Sequence, residues 1–172
     1  MAVLTLEDLS FTYPGGAAPT LNHVNLTVAQ GEYILLCGKS GSGKTTLLRH
    51  LKTVLSPHGS RIGTARLDGI PLEEIGLRQQ AEKIGFVMQN PDDQIVTDKV
   101  WHELAFGLEN LGMEQSLMRL RVAEMASFFG IQDWFHREIS QLSASQGLTP
   151  SFVLTTSGSN TMFCAAISPE YR

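Results

Sequence analysis

Apolar and polar positions alternate where the chain begins. Val3 to Leu9 (VLTLEDL) opens with period two, and Val24 to Val28 (VNLTV) repeats it before Gln30-Gly31. That period lines one face of a half-buried strand, so an N-terminal β layer is expected. Tyr33 to Cys37 (YILLC) is instead an unbroken apolar run and reads as a strand buried on both faces. Thr45 to Leu51 reads as the start of a helix, and Ser56-Pro57-His58-Gly59-Ser60 breaks the chain after it. Thr64 to Leu67 then reads as a strand with Asp68-Gly69 as its turn. Leu77 to Lys83 looks helical, and Ile84 to Met88 (IGFVM) reads as a buried strand running into Gln89-Asn90-Pro91-Asp92-Asp93-Gln94.

From Thr97 the period lengthens. Val100, Leu104, Leu108 and Leu111 recur at helical spacing, with Thr97 as the expected N-cap and Gly112 as the stop. Met118, Val122, Met125 and Phe129 repeat the rule before Gly130, predicting a second helix packed beside the first. The two stripes need no cofactor to explain them; a small helical core suffices.

Composition narrows the class. With 172 residues, 42% hydrophobic and 17% charged, the chain suits one domain with a real core. No apolar segment approaches the roughly 20 residues a membrane-spanning helix needs, and the start MAVLTLEDLS lacks a basic-then-apolar signal layout, so a cytoplasmic location is expected. A net charge of −4 gives no general attraction to nucleic acid, and none is expected as a partner. Cys37 and Cys164 lack metal-ligand spacing and are expected to be reduced, buried thiols.

The chemistry sits in Gly38-Lys39-Ser40-Gly41-Ser42-Gly43-Lys44-Thr45, which fits G-x-x-x-x-G-K-[ST] at every fixed position. Glycines let such a loop turn back with its N–H groups aimed at phosphate oxygens, and the following helix adds its positive end. Lys44 would reach the β- and γ-phosphates, the Thr45 hydroxyl would help hold Mg²⁺, and Thr46 completes the candidate nucleotide-binding residues. Phe11-Thr12-Tyr13-Pro14-Gly15-Gly16 presents two aromatics on a turn-rich segment, and one ring could stack on a base.

With these motifs in this order, the chain resembles the ATP-binding subunit of an ABC transporter from Met1 to about Gln146. The resemblance implies an α/β P-loop NTPase of ABC type, with an N-terminal antiparallel β layer and a small helical subdomain at about 97–146. It makes Tyr13 the adenine-stacking ring, with Phe11 as fallback, and Gln89 the Q-loop glutamine, a catalytic residue beside Lys44 and a Mg²⁺ ligand beside Thr45. The run Gln89 to Val96, followed by Glu103 to Asn110 (ELAFGLEN), is similar to the ATPase subunits of energy-coupling-factor importers of vitamins or cobalt and nickel ions. That implies ATP and Mg²⁺ as cofactors and a second ATPase subunit, in a homo- or heterodimer. It also implies an integral membrane subunit docked on the Q-loop and helical face, where Val96, Trp101 and Phe106 are candidate contacts. The location would then be peripheral, on the inner face of the cell membrane.

Leu142-Ser143-Ala144-Ser145-Gln146 falls where that family has L-S-G-G-Q, the segment offered to the partner's γ-phosphate; Ser143 and Gln146 remain and both glycines are replaced. From Ile139 to Pro169 there is no Asp, Glu, Lys, Arg or His, and no apolar strand ends in Asp-Glu. Residues 1–146 are therefore expected to be a partial ABC domain truncated before that strand, and 147–172 an unrelated or disordered tail, as a frameshift or truncation would leave. Glu170 is a poor substitute for the missing acids, and Glu32, Glu103 and Glu109 read as structural or solvated carboxylates. The expectation is Mg-ATP binding with little or no hydrolysis. The alternatives are a non-catalytic, nucleotide-dependent regulatory partner in a heterodimer, a nonfunctional fragment, and, third, a soluble ABC protein of DNA repair or translation.

Overall fold

A computed structural model describes residues 2–88, 91–142 and 162–165. The chain divides into two compact units, one built on Met1–Gln80 and the other on Ala81–Ala165.

The first unit is organised by an antiparallel sheet of β1 (Ala2–Thr12), β2 (Leu21–Ala29), β3 (Ser60–Leu67) and β4 (Ile70–Pro71) in the order β2-β1-β3-β4. Its core takes Leu4, Leu6, Leu9 and Phe11 from β1, each at most 2% exposed. The spacing from Leu6 to Leu9 is three rather than two, and it would turn Leu9 and Phe11 to the wrong face if β1 were regular. The register shifts here against both neighbours, with Asp8 at φ 53, so a bulge restores the phase. Gly63 on β3, at φ 91, allows the close approach: a Cβ there would lie 2.4 Å from the Asp8 carbonyl oxygen. Asp68 and Gly69, at φ 51 and 79, make the expected tight turn from β3 into β4.

The first α-helix of the chain is α1 (Lys44–Arg49). The expected strand at Tyr33–Cys37 does not form. Residues 32–39 have no regular structure, Tyr33 is 87% and Leu35 70% exposed, and Cys37 is exposed rather than a buried thiol. A run apolar on both faces becomes a strand only between two others, and among the described residues none pairs with it. The side chain of Cys164 lies outside the described residues. Helix α2 (Leu77–Lys83) follows the expected limits. Its buried Gln80 accepts from the Thr53 N–H and hydroxyl and donates to the Leu72 and Ile75 carbonyls, a fully partnered amide.

In the second unit, β5 (Ile84–Val87) is buried throughout and pairs in parallel with β6 (Met162–Ala165). Helices α3 (Val100–Asn110) and α4 (Gln115–Phe128) bury Val100, Leu104, Leu108, Val122 and Ala126 with Ile131 and Ile139. Each fully buried leucine contributes about 1.5–3 kcal/mol. Both helices end as their glycines predict. The Gly112 N–H bonds the Glu109 carbonyl and the Met113 N–H the Leu108 carbonyl, and Gly130 and Ile131 repeat this on Ser127 and Ala126. The start of α3 differs from expectation. Lys99, not Thr97, is the N-cap, and the first N–H groups bond the carbonyls of Phe135 and Arg137. Thr97 instead donates its hydroxyl to the Glu103 carboxylate.

Candidate nucleotide site

Gly41 and Gly43 take φ values of 77 and 89, which bend Gly38–Thr45 back toward α1. A Cβ on Gly43 would sit 2.9 Å from the Thr20 carbonyl, and one on Gly38 2.9 Å from the Ser42 hydroxyl. At Gly43, with its positive φ and a backbone oxygen in the way, only glycine fits. Lys39, Ser40 and Ser42 are exposed, and the Ser42 N–H closes a turn on the Lys39 carbonyl at 3.2 Å. The Lys44 ammonium reaches back over the loop and donates to the Gly38 and Lys39 carbonyls, each at 2.8 Å. Lys44 has no carboxylate partner within the described residues. Gly43, the N-cap of α1, supplies no side-chain acceptor to the helix's first N–H groups. A glycine-rich loop leading into a helix start, with a cation lacking a counter-charge among the described residues, fits a polyphosphate. The half-buried Thr45 hydroxyl at the same helix start is an oxygen donor of the kind Mg²⁺ takes.

Tyr13 lies beside this helix. Its hydroxyl and that of the buried Thr46 are hydrogen-bonded at 3.0 Å, while the residue as a whole stays 38% exposed. The Gly16 N–H bonds the Tyr13 carbonyl at 2.9 Å around Pro14 and Gly15, the latter at φ 74, which is the residue pattern of a type II turn. Phe11 is 1% exposed and meets the Tyr13 ring edge-on at 4.9 Å. A buried ring has no face to offer a base, so Phe11 is no fallback; it is the support under Tyr13. His50, at the end of α1, packs edge-on against Phe11 at 4.6 Å and hydrogen-bonds Ser56 through Nδ1. Burial, with the Arg61 guanidinium nearby, holds His50 down at about 4, so the ring is neutral near pH 7.

Of the other candidate residues, Gln89, Ser143 and Gln146 lie outside the described residues. At the end of β5 the Gln94 side chain accepts from the Met88 N–H at 2.6 Å and donates to the Phe86 carbonyl at 2.9 Å. Sequence reading passed over this residue, since a glutamine in a Pro-Asp-Asp-Gln turn carries no sign of its partners. Glu103 is fully buried and accepts from the N–H groups of Val96 and Thr97, so it is the structural kind of carboxylate. Glu109 is exposed, and the exposed Glu32 accepts from the Ala29 N–H. Val96 is 65% exposed; half-buried Trp101 lines an apolar recess of about 430 Å³ with Ala105, Met118, Val122 and Phe135, and Phe106 is half-buried. Among the described residues no helix is long and apolar enough to cross a membrane.

The glycine-loop cradle ahead of α1 and the antiparallel β layer define a P-loop nucleotide-binding architecture of the ATP-binding-cassette type. Residues 21–151 match the ABC transporter family, and the chain belongs to it. A Bacillus cereus protein named as an ABC transporter ATP-binding protein is 46% identical over 141 residues, covering 82% of this chain and 26% of that protein. The energy-coupling factor transporter ATP-binding protein EcfA1 of Lacticaseibacillus paracasei is 37% identical over 144 residues, covering 84% of this chain and 51% of the relative. Among solved structures, cbiO1 from Clostridium perfringens, part of the ABC transporter complex cbiONQ, superposes with a TM-score of 0.76 at 26% identity, over 89% of this chain and 60% of that one. The chain thus spans between about a quarter and three fifths of these relatives.

Proposed function

We propose that this chain carries the Mg-ATP-binding part of an energy-coupling-factor type ABC ATPase. In this reading Gly38–Lys44 hold the phosphates, Thr45 and Thr46 complete the contact, and Tyr13 stacks on adenine. Bound Mg²⁺ would offset phosphate charge, with Thr45 and Gln89 as its protein ligands; the roles of Gln89, and of Ser143 and Gln146 toward a partner's nucleotide, rest on family resemblance. The observation that carries the reading is Lys44: its ammonium is held over a glycine cradle by two carbonyls and has no acidic partner among the described residues. A part-exposed ammonium held by carbonyls alone keeps its positive charge available to an anion.

The relatives' names support a role within a transporter complex; in this reading the chain pairs with a second ATPase subunit at the cytoplasmic face and drives a membrane subunit docked on Val96, Trp101 and Phe106. Residues 1–146 would be the ABC part and 147–172 a tail unrelated to it. With no acidic residue between Glu138 and Glu170, these 172 residues offer no Asp-Glu pair to position Mg²⁺ and polarise water, so hydrolysis is slow or absent. Titration with Mg-ATP and a phosphate-release assay test this on the full chain, Lys44→Ala, and a version joined to a complete ABC C-terminal half. The reading expects binding lost in Lys44→Ala and turnover only in the completed version. Lys44-dependent turnover by the unmodified chain would overturn the claim of slow hydrolysis; unchanged binding in Lys44→Ala would overturn the site.

A further inference from the structure

We infer that Thr46 is a positioning residue for base recognition: through its hydroxyl it ties the Tyr13 ring to the helix that opens from the phosphate loop. The inference rests on the nucleotide site proposed above and assigns one of its residues a second task. A ring that stacks on a base must hold its plane, and a tyrosine on an exposed turn ordinarily rotates about two side-chain bonds. Here each freedom has a restraint. The turn at Pro14-Gly15 fixes the backbone of Tyr13. The Phe11 edge, 4.9 Å away at 84°, supports one side of the ring. The far end is pinned by the 3.0 Å bond to Thr46.

Phe11 cannot yield, because it is wedged between His50 and the backbone at Gly59, where a Cβ would come within 2.6 Å of its ring. Thr46 is 7% exposed and lies three residues after Gly43, the N-cap of α1, so its hydroxyl moves only with α1. The ring is therefore held before a base arrives, and the ordering cost of stacking is reduced. Base and phosphate recognition become one unit: a change at the start of α1 moves the ring through Thr46.

The test compares affinities for ATP and UTP on the full chain by calorimetric titration. Both carry ribose and triphosphate, and they differ in the π face offered, so their ratio reads the ring rather than the phosphates. Tyr13→Ala should remove the preference for ATP. Tyr13→Phe and Thr46→Val should each lower the ATP-to-UTP ratio by about 2- to 10-fold, the range of one net hydrogen bond. The double variant should fall no further than either single one, and Thr46→Ser, which keeps the hydroxyl, should retain the wild-type ratio. A wild-type ratio in Thr46→Val, additive losses in the double variant, or a preference that survives Tyr13→Ala would overturn the inference. If Thr46→Val does not fold, Tyr13→Phe, at a part-exposed position, reads the same bond. Lys44→Ala separates the two levels. Equal weakening of both nucleotides upholds the phosphate site whatever the ratios show, and no weakening sinks that site and this inference together.

Discussion

Leu21–Ala29, which alternates apolar and polar residues, and Tyr33–Cys37, which is continuously apolar, are separated by one short turn and end up in opposite states. The first is paired along β1, with Leu6 opposite Leu26 and Leu4 opposite Val28. The second has no described partner strand and leaves Leu35 70% exposed. The difference lies in what each pattern demands. An alternating strand needs one neighbour and one covered face, and β1, an eight-residue connection away, provides the neighbour. A continuous apolar run needs neighbours on both edges and layers on both faces, which are non-local by nature. Alternation is thus close to a local statement about structure, whereas an apolar run is a conditional one.

The largest effect should come from attacking the paired region where its backbones touch. Gly63→Val places a side chain where a Cβ already lies 2.4 Å from the Asp8 carbonyl, at a φ of 91 that suits only glycine. The bulge would have to open, at a cost of about 4 kcal/mol or more, read as a fall in the urea midpoint. Next comes Leu9→Ala. Leu9 is 0% exposed just past the bulge, and truncation should cost about 2–5 kcal/mol by the same measurement. A cost near zero would mean that the bulge does not restore the phase of β1.

A third test uses pH. His50 has its folded value lowered from 6.5 to about 4, first by burial and then by Arg61. Between those values the unfolded chain binds the proton and the folded one does not. Stability should therefore be level above about pH 6.5 and decline as pH falls toward 4. The expected control is His50→Phe, which fills the same place under Phe11 and should flatten that decline. An equal decline in the variant would assign the loss to other groups.

Much of this was legible from residue types with a single physical use. Gly112 and Gly130 stop helices because only glycine takes the left-handed turn freely, and Asp68-Gly69 does the same for a hairpin. The phosphate loop is legible for a similar reason: its glycines and Lys44 have few other joint uses. Other features depend on contacts between distant positions. Nothing in the sequence near Tyr13 announces Thr46, 33 residues on, and nothing near Gln94 announces Phe86 and Met88 as partners for its amide. Thr97 looked like an N-cap because the carbonyls of Phe135 and Arg137, which serve α3 instead, come from far along the chain.

The smallest expected effect sharpens the comparison most. Leu35→Ser changes an apolar side chain to a polar one inside the YILLC run. On a buried central strand it would remove several methyl groups from packed surroundings and add an unpartnered hydroxyl, costing about 3 kcal/mol or more. At a position 70% exposed it should shift stability by no more than about 0.5 kcal/mol and increase solubility by breaking an exposed apolar patch. A urea titration with light scattering at increasing protein concentration reads both quantities. A loss of the larger size would show that Tyr33–Cys37 is enclosed in solution, and the contrast with β2 would then be one of partner distance alone, not of partner presence.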